Sequence, residues 1–213
     1  METLLTSLKE RIAHAIYKGD FLLSVNRFSD FWIYLKDLNE DSVRDLVQQI
    51  LQVVLRNFLA EQPGDLVVFT SEFDPSSDKE FPTGVVLDES IRGLNSPRLH
   101  YERVYLDPST KGVNLIGSHF AGKTGIGVFA LSIHVDKLKS IVNEIRAQGG
   151  QVKALIVLCE RENVGRGIFD SLQVELIPMV LFDAENWEIS HVLERPGLPF
   201  AGYHRYFHRT SPG

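Results

Sequence analysis

Three apolar runs in the second half of the chain restrict its fold more than anything else: Val128–Val135, Val152–Leu158 and Val174–Phe182. Short runs without polar alternation suit strands buried on both faces, and such strands need helices above and below them. Between the first two runs lies an amphipathic stretch ending at Gly149-Gly150, long enough for the crossover helix that joins parallel strands. Strand, helix, strand therefore predicts an α/β domain with a mainly parallel central sheet flanked by helices. Folds of this kind bind phosphate where a strand ends and its helix begins. Here that junction is Ile133, His134, Val135, Asp136 and Lys137, with no glycine and no acidic pair.

The first half is consistent with the same class. Leu4, Leu5, Leu8, Ile12, Ala15 and Ile16 recur at helical spacing, predicting a helix from about Thr3 to Tyr17 that Gly19 ends. Phe21 to Leu35 reads as two short strands with turns at Asn26 and Ser29-Asp30. A longer helix carries Val43, Leu46, Val47, Ile50, Val54, Leu55 and Phe58 on one face, and Ser42 with Asp45 forms a loose capping box. Pro63-Gly64 breaks the chain before a strand at Leu66–Phe69. A polar, acidic segment from Thr70 to Phe81 follows, with a turn at Asp74–Asp78. Leu99–Leu106 and Val113–Ile116 read as a hairpin. Residues 184–213 change character: three prolines and Tyr203-His-Arg-Tyr-Phe-His-Arg209 mark a tail that packs across a partner subunit or a groove.

The totals narrow the function. With 213 residues, 44% of them hydrophobic, the chain can build one full core. A net charge of −6 argues against nucleic acid as the main partner. The acid in Met1-Glu2 is unlike a signal peptide, and no apolar run reaches the roughly 20 residues of a membrane span. The single cysteine, Cys159, cannot form an internal disulfide, so a reducing, cytoplasmic setting is expected, with no membrane partner.

Several patterns invite chemistry and resist it. Gly117-Ser-His-Phe-Ala-Gly122-Lys123-Thr124 matches the P-loop string, but a P-loop needs a helix to begin at Lys-Thr. Gly125-Ile-Gly127-Val128 instead suggests a turn into a strand, so a P-loop nucleotide-binding protein is a second alternative only. Cys159 sits near a strand end beside Glu160, which raises its pKa, and a buried structural thiol is the better reading. His204 and His208 have helical metal-ligand spacing, yet no acid or cysteine joins them, so no metal site is expected. Glu40-Asp41 and Asp88-Glu89 read as solvated caps and turns.

Three strings now point the same way. Lys18-Gly-Asp-Phe-Leu-Leu-Ser-Val-Asn-Arg27-Phe-Ser-Asp-Phe-Trp32, Asn114-Leu-Ile-Gly-Ser118 with Gly122-Lys123, and Glu160-Arg-Glu-Asn-Val-Gly-Arg-Gly167 occur in collinear order. Together they resemble the hood segment, the string after the catalytic loop, and the end of the third parallel strand of the orotate phosphoribosyltransferases. The resemblance covers about residues 5–182. It implies a type I phosphoribosyltransferase-like fold over 1–183, with a small N-terminal hood at about 18–36, and a homodimer.

What the resemblance implies for activity depends on the residues that match. In the family, two acids at a strand end bind the ribose hydroxyls of phosphoribosyl diphosphate, and a small-residue loop wraps its 5-phosphate. Here no Asp or Glu occurs from Lys123 through Val135, and the loop position is Ile133–Lys137. β-Branched Ile133 and Val135 resist the glycine-like backbone that cradles phosphate. Of the catalytic-loop positions, Arg103 keeps its cation, while Val104, Asp107 and Ser109 do not, and Asp107 would repel pyrophosphate. Ser24 and Asn26 replace the hood's Lys and Gly, whereas Arg27 matches its Arg. The pyrophosphate loop is Thr70-Ser-Glu-Phe-Asp-Pro75, with two acids.

Arg161 matches the arginine that faces the orotate carboxylate, a role its fork geometry suits. An ion pair with Glu160, Glu162 or Glu144 is the preferred alternative. The residues therefore point to a non-catalytic relative that has lost phosphoribosyl diphosphate binding, with no catalytic residue and no cofactor. Arg161, Arg103 and Arg27 remain as candidates for a small anionic or nucleotide-like ligand. An active phosphoribosyltransferase with a rearranged site, which would need Mg²⁺, is the alternative.

Overall fold

Leu66, Val67, Val68 and Phe69 are consecutive and all fully buried, as a strand covered on both faces requires. The computed structural model describes residues 2–24, 27–72, 82–106, 113–114, 120–131, 135–161, 166–183 and 188–191. It places these four in β3 (Leu66–Glu72), inside a seven-stranded sheet. The other members are β4 (Leu99–Leu106), β5 (Val113–Asn114), β6 (Thr124–Leu131), β7 (Gln151–Arg161), β8 (Glu175–Asp183) and β9 (Glu188–His191). Their order is β5-β4-β3-β6-β7-β8-β9. Pairings from β4 through β8 are parallel, and β5 and β9 close the edges antiparallel.

Helices cover both faces. α1 (Glu2–His14), α2 (Asp41–Glu61) and α3 (Thr83–Leu94) share a core with Leu66, Val68, Ile126, Val128, Ile156 and Ile177. α4 (Val135–Ala147) and α5 (Arg166–Ser171) share the opposite core with Val67, Phe69, Phe129, Leu155 and Val157. Neighbouring residues of one strand thus enter different cores, the period-two geometry of a pleated sheet. Of the α2 stripe, Val43, Val47, Ile50, Val54, Leu55 and Phe58 are buried as their spacing predicts, whereas Leu46 is only half-buried and Leu51, outside the expected stripe, is buried. β1 (Ile16–Ser24) and β2 (Arg27–Ile33) form a separate antiparallel ribbon.

Several expectations are corrected. The first helix stops at His14, not Tyr17, and Gly19 lies within β1; the aromatic and β-branched residues after Ala15 favour pairing with β2. Ser29 and Asp30 lie inside β2 rather than at a turn. Ser42 is not a cap: the N-cap of α2 is Glu40, and it makes no side-chain capping bond. Asp88 and Glu89 lie mid-helix in α3, an element the local pattern did not predict. β6 ends at Leu131 rather than Val135, and Val135–Lys137 instead form the first turn of α4. Within the segment read as a tail, Glu188–His191 pair with β8. The histidines 204 and 208 lie outside the described residues.

Candidate functional site

Parallel sheets bind ligands beyond the carboxyl ends of their strands, where successive crossovers leave for opposite faces. β3 is followed by α3 on one face and β6 by α4 on the other, and β3 pairs directly with β6. The switch point therefore lies between the ends of β3 and β6.

Its walls are apolar. On one side a crevice is lined by Val47 and Leu51 of α2, Thr83 and Val86 of α3, and Val128 to Ala130 of β6, closed below by Leu158 and Met179. It leaves room for about one water, ≈ 10 Å³. On the other face the Phe129 ring meets Phe69 edge-on at 6.1 Å, and Phe69 meets Phe120 edge-on at 5.5 Å, a favoured aromatic geometry. Gly125 and Gly127, read from the sequence as a turn, are strand residues that make space for these rings. A Cβ on Gly127 would lie 2.6 Å from Phe129 and 3.0 Å from Phe69. Because Thr124 opens a strand and not a helix, the P-loop alternative is overturned: no helix N-terminus follows Lys123 to face a phosphate.

Among the described residues, polar groups around this point are few. Thr70 of β3 is buried and pairs in register with Arg103 of β4. Arg103 is exposed; its guanidinium lies 5.9 Å from the Tyr101 ring centroid, and its Nε donates to the Tyr101 hydroxyl at 3.2 Å. Glu72 ends β3, and an acid there is the wrong sign for a diphosphate; Asp74, Asp78, Glu80 and Asp107 lie outside the described residues.

The three candidate arginines sit on separate elements. Arg27 begins β2 in the ribbon. Arg103 is level with about Ile156 of β7, by way of the β3 and β6 registers, while Arg161 ends that strand five residues further on. With about 4.8 Å between strands and about 3.3 Å per residue, their backbones are roughly 20 Å apart. Of the expected phosphate-loop residues, Val135, Asp136 and Lys137 open α4, and Ile133 and His134 lie outside the described residues.

Cys159 is buried two residues before the end of β7, between Leu131 and Val180. Burial first, and the neighbouring Glu160 second, push its thiol up to about 12, so it is no nucleophile near neutral pH. Glu160 itself is fully buried, a placement the sequence signals only by an acid closing an apolar run. The share of α2 and α3 in the crevice left no local signal. Among the described residues, no group of three or more His, Cys, Asp or Glu could hold a metal, and no helix is long and apolar enough to cross a membrane.

No protein-family model matches the chain, and no curated protein matches it. Solved structures do. Orotate phosphoribosyltransferase from Mycobacterium tuberculosis H37Rv, in complex with inorganic phosphate, is 14% identical with a TM-score of 0.55, over 83% of this chain and 94% of that one. The orotate enzyme from Aeropyrum pernix is 19% identical with a TM-score of 0.55, over 82% and 92%. Adenine phosphoribosyltransferase from Thermoanaerobacter pseudethanolicus is 13% identical with a TM-score of 0.58, over 84% and 99%. This chain has five parallel strands in the order β4-β3-β6-β7-β8 with helices on both faces, and its fold is that of the type I phosphoribosyltransferases.

Proposed function

We propose that this protein keeps the phosphoribosyltransferase scaffold without its chemistry: it is a non-catalytic relative with a binding or regulatory role, and it does not bind phosphoribosyl diphosphate. The observation that carries this reading is the end of β6. Where the resemblance calls for two acids holding ribose hydroxyls, Val128 and Phe129 are buried in the two cores and Ala130 lines an apolar crevice with room for about one water. Hydroxyls and phosphates placed there would lose water without gaining partners, at a cost of several kcal/mol. The dispersal of Arg103 and Arg161, and the acid that ends β3, support the same reading.

Titration calorimetry with phosphoribosyl diphosphate and Mg²⁺ tests it. The expected result is no saturable heat up to about 1 mM ligand, equivalent to binding weaker than roughly −4 kcal/mol. Saturable binding below that concentration would overturn the proposal, and turnover of orotate with the same donor would replace it with an active enzyme. A homodimer in a reducing, cytoplasmic compartment belongs to the same reading, and sedimentation equilibrium checks the oligomer directly.

A further inference from the structure

The β1–β2 ribbon stands outside the main sheet, and α1 is the described helix that packs most on it. Its base is pinned. Ala15, Ile33 and Leu38 are buried in the core, and the Tyr34 N–H donates to the Ala15 carbonyl at 2.8 Å. The Tyr17 hydroxyl donates at 2.5 Å to Asp37 of the 3₁₀ turn Leu35–Leu38, and the Tyr17 and Tyr34 rings meet edge-on at 6.4 Å. Up to Lys18 the pairing is regular: Ile16 faces Ile33, Tyr17 faces Trp32 and Lys18 faces Phe31. Beyond it the register shifts twice. Phe21 faces Ser29, so Gly19 and Asp20 together oppose Asp30. Leu22 faces Phe28 and Ser24 faces Arg27, so Leu23 is extra between them. β1 thus brings nine residues against seven of β2.

An extra residue interrupts the hydrogen-bonded ladder and bends the strand that carries it. Two on one strand, in a two-stranded ribbon that is marginal in water by itself, concentrate bending beyond the pinned base. We propose that the ribbon is a strap with a fixed base and a tip that swings about the bulge at Gly19-Asp20. The tip carries Arg27, the first residue of β2. Arg103 and Arg161 stand on β4 and β7, where the sheet fixes the distance between their backbones. Arg27 is the candidate arginine whose place can adjust. From Asp20 to Ser24 the strand runs about 13 Å, so a swing of about 30° shifts its end by about 7 Å. The swing belongs to the ribbon and stands whether or not the scaffold binds a ligand.

Pulsed dipolar spectroscopy on the full chain tests this, with one nitroxide at Arg56→Cys, exposed on α2, and a second at Lys18→Cys or Ser24→Cys. Cys159, buried with its thiol pushed up to about 12, stays unlabelled. The expected distance distribution is narrow for position 18 and at least about twice as wide for position 24, as for an element with several populated orientations. Equal widths, narrow or broad, would overturn the strap. Deleting Asp20 removes the extra residue, and position 24 should then narrow toward the width of position 18; an unchanged width would put the motion elsewhere and overturn the hinge. Tyr17→Phe keeps the ring and loses the bond to Asp37, so it should broaden position 18 as well. A distribution at position 18 that it leaves unchanged would reject the pinning of the base by that bond.

Discussion

A methyl group on Gly127 would sit 2.5 Å from Leu155 Cδ2 and 2.6 Å from Phe129 Cε2, distances that real Cβ atoms do not tolerate. Gly127→Ala should therefore cost about 1–3 kcal/mol through overpacking, read as a lower urea midpoint; an unchanged midpoint would mean that the Phe69 and Phe129 rings can move aside. Cys159 gives a prediction in pH. Below pH 9.0, its ordinary value, the thiol is neutral in both states and its contribution is fully present. Above that, the unfolded thiol ionises while the buried one stays neutral until about 12, so stability falls as pH rises through this window. Relative to Cys159→Ala, the protein should lose up to about 1.4 kcal/mol per pH unit there. Urea melts at rising pH check this, and a constant difference would mean that the thiol is not held neutral. The thiol's inertness was legible from Glu160 beside it. Its burial was expected too and is observed; the strand neighbours that flank it, Leu131 and Val180, were not legible, because they come from other strands.

Among the elements, α2 was readable because seven apolar residues repeat at helical spacing, whereas its first turn was misread. Glu40 has the extended backbone of an N-cap, φ −102 and ψ 146, without a side-chain capping bond. Glu40→Ser should add about 0.5–1 kcal/mol, despite the loss of an exposed 3.4 Å ion pair with Arg11, since such pairs contribute little. Ser42→Ala should change stability by less than about 0.5 kcal/mol. Thermal unfolding of both variants separates the two assignments. α3 was not legible at all. It starts after Pro82, holds Gly84 and Gly93, and places Val85 and Val86 together, all poor local signals for a helix. Burial of Val86, Leu87 and the Ser90 hydroxyl, which donates to the Val86 carbonyl at 2.6 Å, holds it in place. Asn95, left-handed at φ 46, caps its end.

For the molecule as a whole, the crevice that α2 and α3 leave against β6, β7 and β8 is walled by core residues such as Val47, Leu51, Val86 and Val128. Restoring acids there should not restore a site. Phe129→Asp with Ala130→Asp is expected to destabilise the fold by at least about 3 kcal/mol and to leave calorimetry with phosphoribosyl diphosphate and Mg²⁺ silent. Binding by that variant would mean that the scaffold still holds the donor's remaining contacts.

The sequence by itself determined the class of this fold. Runs such as Val152–Leu158 can be satisfied only between two helical layers, and residue period is a local property that neighbours in the chain settle among themselves. It also showed that no acid stands between Lys123 and Val135. Tertiary structure alone decided what fills the space those acids would have left. Gly125 and Gly127 look like a turn until Phe69 from β3 and Phe120 from the segment before β6 arrive against them. Whether a glycine frees the backbone or admits a ring depends on what packs over it, and those partners come from other strands and segments of the fold.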